Sequence, residues 1–246
     1  MSKQQIVFLV GGTGRTGGRV MRELLRRGVE VRAVVRSLGK VPPDITDDPK
    51  LELIEADLLS VGEDRLQGYA RGCDAVVSCL GHVISAKGIW GEPRDLVTQA
   101  ITRICRAIES LRPASPVKVV LMGSVSVNHP GGIDTHRGAF EKASLAVVRG
   151  AIPPAKDNQT AATFLYEAIG TKNAFVEWTV VRPDALEEGD ASAYSIHEGL
   201  VSTIFRPDAT RMANVAHFMA DLVTKPEVWN EWKGRMPVII NEPAKA

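Results

Sequence analysis

A run of glycines between an apolar stretch and an amphipathic one constrains this chain more than any other feature. Ile6–Val10 reads as a buried strand, Arg15 to Arg27 as a helix, and Gly11-Gly12-Thr13-Gly14-Arg15-Thr16-Gly17-Gly18 joins them. Glycine permits a tight turn and lets a bulky anion approach the main chain. The helix that follows offers unpaired amides at the positive end of its dipole. Glycines at 11, 14 and 17, with a strand before and a helix after, have the pattern of a βα turn that cradles a pyrophosphate. Gly11, Gly12, Thr13, Gly14, Arg15, Thr16 and Gly17 are therefore the candidate anion site.

The same rhythm continues along the chain. Val31–Val35, Leu51–Glu55, Ala75–Cys79, Val117–Met122 and Val176–Val181 read as further strands. Glu63–Ala70, Pro93–Leu111 and Asn158–Ile169 read as helices between most of them. Continuously apolar strands are buried on both faces, so the expected fold is α/β, a Rossmann-type doubly wound parallel sheet. Turn clusters at Pro42 to Pro49, His129 to His136 and Pro153-Pro154 mark loops, and no repeat or disordered linker interrupts the pattern. After Pro183 the rhythm changes to a loop from Glu187 to Ser195, a helix over Met212 to Val223 and a short strand over Met236 to Ile240. A single domain over residues 1–246 is expected, with 184–246 as a small C-terminal substrate cap.

Composition removes several function classes. Thirty Lys and Arg against 29 Asp and Glu give +1, so no net field draws the chain to nucleic acid or to an anionic membrane. The apolar runs are strand-sized, far short of the ~20 residues that cross a bilayer, and nothing resembles an export signal, so a cytoplasmic protein is expected. Cys73, Cys79 and Cys105 lack metal-ligand or disulfide spacing and read as buried reduced thiols, with no metal site. Glu141-Lys142 and the charges at Arg22, Glu23, Arg26 and Arg27 read as solvated helix faces, and Trp229 and Trp232 as packing against the late helix.

The second strand ends on Arg36, where many NAD-specific folds place an acid for the adenosine ribose. A guanidinium suits a 2′-phosphate, with Arg15 available as a second one, so NADP is favoured over NAD. Asp57-Leu58 follows the third strand, where a short carboxylate can accept from the adenine amino group. Cys79-Leu80-Gly81 ends the fourth, where small residues let backbone pass beside a cofactor.

These residues resemble the atypical short-chain dehydrogenase/reductases, the NmrA-like and NAD(P)H-binding group, over nearly the whole chain. The likeness rests on the glycine loop, Val35-Arg36, Ala56-Asp57-Leu58, Cys79-Leu80-Gly81, Gly123-Ser124-Val125-Ser126 and Trp178-Thr179-Val180-Val181-Arg182-Pro183. Thr210 to Ala216 is similar to the family's late helix start. The resemblance implies that Arg182-Pro183 leaves the sheet near the nicotinamide and that Ser124 lies beside a substrate carbonyl. It also implies that Lys156, 27 residues before Pro183, grips the nicotinamide ribose.

The wider superfamily carries Tyr four residues before its Lys, and this sequence departs from that. Cys73, Gly170 and Glu198 stand four residues beyond Tyr69, Tyr166 and Tyr194, and Ile152 stands four before Lys156. The phenolic acid is gone. Ser124 can position a carbonyl and stabilise an oxyanion, while His82, His129, His136 and Asp157 are substitute proton donors on the loops. Ser124, Lys156 and His129 form the candidate catalytic set, acting on a small-molecule substrate in a monomer or homodimer. Three functions stay open: an NADP-dependent reductase of a small, partly apolar carbonyl or enone, an NmrA-like dinucleotide sensor, and a non-redox isomerase or cyclase in the same pocket.

Overall fold

The computed structural model describes residues 4–82, 91–135, 138–203 and 206–242. Its strands are β1 (Ile6–Val10), β2 (Glu30–Val35), β3 (Leu51–Glu55), β4 (Ala75–Ser78), β5 (Val117–Met122), β6 (Val176–Pro183), β7 (Ala185–Glu187), β8 (Tyr194–His197), β9 (Ala209–Arg211) and β10 (Val238–Asn241). The helices are α1 (Arg15–Arg26), α2 (Glu63–Ala70), α3 (Leu96–Leu111), α4 (Ala139–Ala151), α5 (Pro153–Thr163), α6 (Met212–Thr224) and α7 (Pro226–Trp232).

The main sheet runs β3-β2-β1-β4-β5-β6-β10-β8, parallel except for the β10–β8 pair. Strand order reverses between β1 and β4, which opens a crevice beyond their carboxyl ends. Side chains alternate across β1, so Val7 and Leu9 enter one core with α1 and α6 while Phe8 and Val10 enter the other with α2, α3 and α5. Val20, Met21, Leu24 and Leu25 make one apolar stripe on α1 and are buried against the sheet, each worth about 1.5–3 kcal/mol. This is the Rossmann-type sheet that the strand rhythm predicts.

Several local expectations are corrected. Pro153 and Pro154 do not mark a loop but open α5, because a proline in the first turn loses no helical hydrogen bond and arrives with its φ preset. The α5 helix then passes into a π-helical turn, Phe164–Ile169, that ends at Gly170. The α3 helix starts at Leu96, not Pro93. The expected loop from Glu187 to Ser195 holds the end of β7 and the start of β8, and β8 pairs antiparallel with β10.

Two charged faces read as solvated are not. Glu141 is buried. Arg27, part-buried beside Glu23, bonds Asp221 and Thr224 and so fastens α1 to α6. Arg22 and Arg26 are exposed as read. Trp229 and Trp232 pack as read, Trp229 donating to Glu177 at 2.7 Å and Trp232 meeting the Phe218 ring.

Candidate active site

The crevice begins at the glycine loop. Gly11 has φ +78°, and a Cβ there would lie 2.4 Å from the Cys79 carbonyl carbon, so the β1 and β4 ends touch backbone to backbone. A Cβ on Gly17 would stand 2.1 Å from the Gly11 oxygen. Both positions require glycine, one for its left-handed conformation and contact, the other for contact alone. The α1 helix starts with no side-chain cap and no acid in its first turn, so its positive end is not neutralised locally. Gly12, Thr13, Gly14 and Thr16 complete the turn, with Gly14 donating to the Gly11 oxygen at 3.1 Å.

Arg36 projects from the end of β2 into solvent and makes no hydrogen bond or ion pair among the described residues. Arg15 is differently placed. Its Nε and Nη2 both donate to Glu188 at 3.1 and 2.8 Å, and Arg19 pairs with the other oxygen of that carboxylate. The two guanidiniums hold Glu188 well below the usual carboxylate range. Nothing in the sequence motif pointed to Glu188, which lies in the loop after β7.

Asp57 is exposed and turned to its own loop, accepting from Leu59 N–H at 3.2 Å and the Ser60 hydroxyl at 2.8 Å. Leu58 is buried, and Arg103 holds its carbonyl and that of Leu59 at 2.9 and 2.7 Å. Cys79 is buried and its N–H binds the Val10 carbonyl, while burial pushes its thiol up to about 12. Leu80 and Gly81 follow at the crevice edge.

Pairing of Ser78 with Leu121 brings the ends of β4 and β5 side by side, so Gly81-His82 and Gly123-Ser124 leave the sheet together. The Ser124 hydroxyl lies 2.6 Å from that of Ser126, and Pro183 O accepts from Val125 N–H at 3.0 Å, which sets the end of β6 beside them. Helix α5 staples both loops. Asp157, whose side chain is 0% exposed, accepts from His82 Nε2 at 2.8 Å, while Gln159 pairs with the Asn128 N–H and carbonyl at 2.8 and 3.0 Å. Asp157 also accepts from the amides of Val97 and Thr98 at 2.8 and 2.9 Å and from the Thr98 hydroxyl at 2.6 Å, and so caps α3 from another helix.

Lys156 is exposed on α5, at the rim of a cavity of about 360 Å³ that Arg94, Asp95 and Thr98 also line, and its side chain is unpaired among the described residues. His129 faces elsewhere. Its Nδ1 accepts from Gly131 N–H at 3.0 Å and its ring meets Tyr166 edge-on. Burial, with Arg182 nearby, lowers its pKa below the ordinary imidazole value, so it is neutral at pH 7. Among the described residues, no contact joins Ser124, Lys156 and His129 to one another. His136 lies outside the described residues. Ile152, at the start of α5, has no proton to give.

Arg182 is a strut inside the molecule. Fully buried, it donates to the carbonyls of Met236, Val127 and Glu198 and to Asp134 at 2.7 Å, joining β6, the loop after β5 and the segment after β8. Arg182 keeps Asp134 below the usual carboxylate range in spite of its burial. Asp184 likewise binds Ser202 and the Asp208 amide.

The glycine cradle and the uncapped helix start fit the pyrophosphate of a dinucleotide. No group of three metal-ligating side chains occurs among the described residues, and none of their helices is long and apolar enough to cross a membrane. The profile of the NAD(P)H-binding family matches residues 11–226. An uncharacterized chloroplastic protein of Arabidopsis thaliana is 42% identical over 64 residues, 26% of this chain and 22% of that protein. The chain spans less than a quarter of the length of the curated relatives it matches. An oxidoreductase from Lactococcus lactis superposes with TM-score 0.69 at 17% identity, covering 97% of this chain and 91% of that one. A short-chain dehydrogenase/reductase from Veillonella parvula, solved in complex with NADP, gives TM-score 0.66 at 14% identity over 98% and 95%. The chain belongs to the NAD(P)H-binding family and has the Rossmann-type fold of the structures it superposes on.

Proposed function

We propose that this protein is an NADP-dependent oxidoreductase that reduces a small, partly apolar carbonyl or enone. The observation that carries the cofactor choice is Arg36, a cation unpaired among the described residues, at the end of β2 where an NAD site has an acid. The bound cofactor supplies hydride. The glycine loop and the start of α1 hold its pyrophosphate, Arg36 its 2′-phosphate, and Lys156 its ribose. Ser124, backed by Ser126, directs a hydroxyl at the substrate oxygen and fixes the reacting carbon. The Leu58 and Cys79-Leu80-Gly81 segments line the adenine and central parts of the crevice, and Pro183 bounds its nicotinamide end.

A substrate of this kind is a small molecule, taken by a monomer or homodimer, with no role for nucleic acid or membrane. Three buried thiols suit a reducing compartment, and cytoplasm is the reading for this chain, although the Arabidopsis relative is named chloroplastic. One observation favours the dinucleotide sensor as second reading: Ile152 stands where the superfamily has its phenolic acid.

Titration of the protein with NADPH and NADH by cofactor fluorescence, repeated on Arg36→Glu, tests the proposal. The expected result is NADPH preference that the variant loses by at least about tenfold, in keeping with a charge-assisted phosphate contact. Equal binding of both cofactors, indifferent to Arg36, overturns the NADP assignment. NADPH binding without turnover of any carbonyl or enone moves the sensor reading to first place.

A further inference from the structure

We propose that Arg15 and Arg19 form a phosphate-binding pair in which Glu188 is the resident anion, and that a phosphate of the dinucleotide displaces Glu188 and so unlatches the cap segment from α1. This rests on the cofactor site of the reading above and gives that site two further cations and a moving part. Glu188 lies between β7 and β8, in the region read as substrate cap, yet its carboxylate reaches α1. One oxygen accepts from Nε and Nη2 of Arg15 at 3.1 and 2.8 Å, and the other accepts from Nη2 of Arg19. Arg15 is the first residue of α1, directly after Gly14 of the glycine loop, and Arg19, one turn on, reaches back so that its Nη1 donates to the Arg15 carbonyl at 2.8 Å. Both guanidiniums thus meet beside the first turn, where no side-chain cap and no acid of that turn answers the positive end of the helix.

The other arginines of α1 are differently provided. Arg22 forks onto Asp44, while Arg26 and Arg27 bond Glu23 of their own helix. Arg15 and Arg19 have Glu188 as their one acid among the described residues, and it comes from far along the chain. Guanidiniums placed to fork onto a carboxylate are placed to take a phosphate, whose greater charge and additional oxygen favour it in the exchange. The site is also accessible: Arg15 is 65% and Glu188 58% exposed, so an incoming anion reaches the ion pair, and an exposed pair costs little to break.

The segment is anchored on both sides of this contact. Before it, Glu187 accepts from Asn241 Nδ2 at 2.9 Å. After it, Ser192 N–H donates to Asn214 at 2.8 Å and the Ala193 carbonyl accepts from Glu242 N–H at 3.0 Å. Between the anchors Gly189 has φ +137°, the Asp190 carbonyl meets Arg211 at 3.4 Å, and among the described residues Glu188 alone hydrogen-bonds α1. Loss of Glu188 from the arginines therefore loosens residues 188–191 and leaves the flanking strands in place. Loading of the cofactor then comes first, and freedom of the cap follows from it.

The test uses the whole protein, titrated with NADPH and with NADH, and the variants Glu188→Gln, Arg15→Gln with Arg19→Gln, and all three together. At low salt Glu188→Gln is expected to bind NADPH about two- to fivefold more tightly, and the double arginine variant at least about tenfold more weakly. Adding Glu188→Gln to the arginine variant is expected to give no gain, whereas a general effect of the lost charge would persist without the arginines. Hydrogen exchange over residues 188–191 is expected to quicken when NADPH is added to the parent, and to be equally quick in Glu188→Gln without cofactor. A gain for NADPH alone supports the exchange with the 2′-phosphate as the displacing group; an equal gain for NADH supports it with the pyrophosphate. Unchanged or weaker NADPH binding by Glu188→Gln, or a gain that survives loss of both arginines, overturns the proposal while the cofactor site stands. Slower exchange over 188–191 with NADPH also overturns it, and makes Glu188 a strap that tightens over the cofactor. If the parent binds neither NADPH nor NADH, the cofactor site itself falls and the latch with it.

Discussion

Gly17 marks how little room the phosphate turn leaves. In Gly17→Ala the new methyl would press on the Gly11 oxygen at 2.1 Å, so the variant is expected to lose about 1–3 kcal/mol of stability in urea unfolding and to lose NADPH binding. Glu188 holds Arg15 and Arg19 as an internal anion. Glu188→Gln is expected to tighten NADPH about two- to fivefold at low salt, with the gain vanishing near 1 M salt, as isothermal titration would show. His129 gives a pH signature. Because its folded pKa is depressed, the unfolded chain takes up a proton that the folded protein refuses once pH drops below about 6.5, and stability declines from there. His129→Asn is expected to flatten that slope between about pH 7 and 5, whereas Asp134, depressed as a carboxylate, withdraws its contribution only at lower pH. Burial pushes the Cys73 thiol up to about 11 and Cys79 to about 12, so a thiol reagent at pH 8 is expected to label the protein only after unfolding. Residue chemistry was legible in the sequence where one position suffices, as at Gly11 and Gly17. Glu188 was invisible because its meaning comes from Arg15 and Arg19, more than 160 residues away.

Helix α5 shows what an element adds beyond its residues. It carries Lys156 outward and Asp157 inward on successive positions, and among the described residues only the inward one has bonds to neighbouring elements. Asp157→Ala would strip the cap from α3 and leave two amides without their acceptor, and the expected loss is about 2–4 kcal/mol in thermal or denaturant unfolding, against a smaller loss for Gln159→Ala. The strands and most helices follow from apolar runs and periodicity, which report burial in an element's own residues. The start of α5 did not follow. A proline pair signals a turn or a helix start with equal force, and only the tertiary hold on Asp157 decides between them. For the same reason Glu23 and Arg27 read as surface charge: a helix pattern does not say that α6 will cover that face.

Across the whole molecule, Arg182 joins segments that share no sequence signal: β6, the loop carrying Asp134, and the stretches around Glu198 and Met236. Arg182→Met would leave the Asp134 carboxylate buried without its cation. A loss of about 3–5 kcal/mol is expected, with faster amide exchange over residues 127–135 and 198–202 as the signature of a loosened cap. The motif Val181-Arg182-Pro183 flagged the position by resemblance, while its physical role rests on partners from distant stretches of chain. The place of β10 has a further consequence, for synthesis. It follows every other strand in the chain, yet it sits inside the sheet, with β6 on one flank and β8 on the other. While the chain is still emerging from the ribosome, the parallel edge of β6 stays bare after its own residues are ready to fold, and bare edges recruit strands from other chains. Chaperone demand should therefore peak late in translation. A nascent chain arrested before residue 236 is expected to be protease-sensitive and prone to self-association, and one carrying residues 236–242 to be neither.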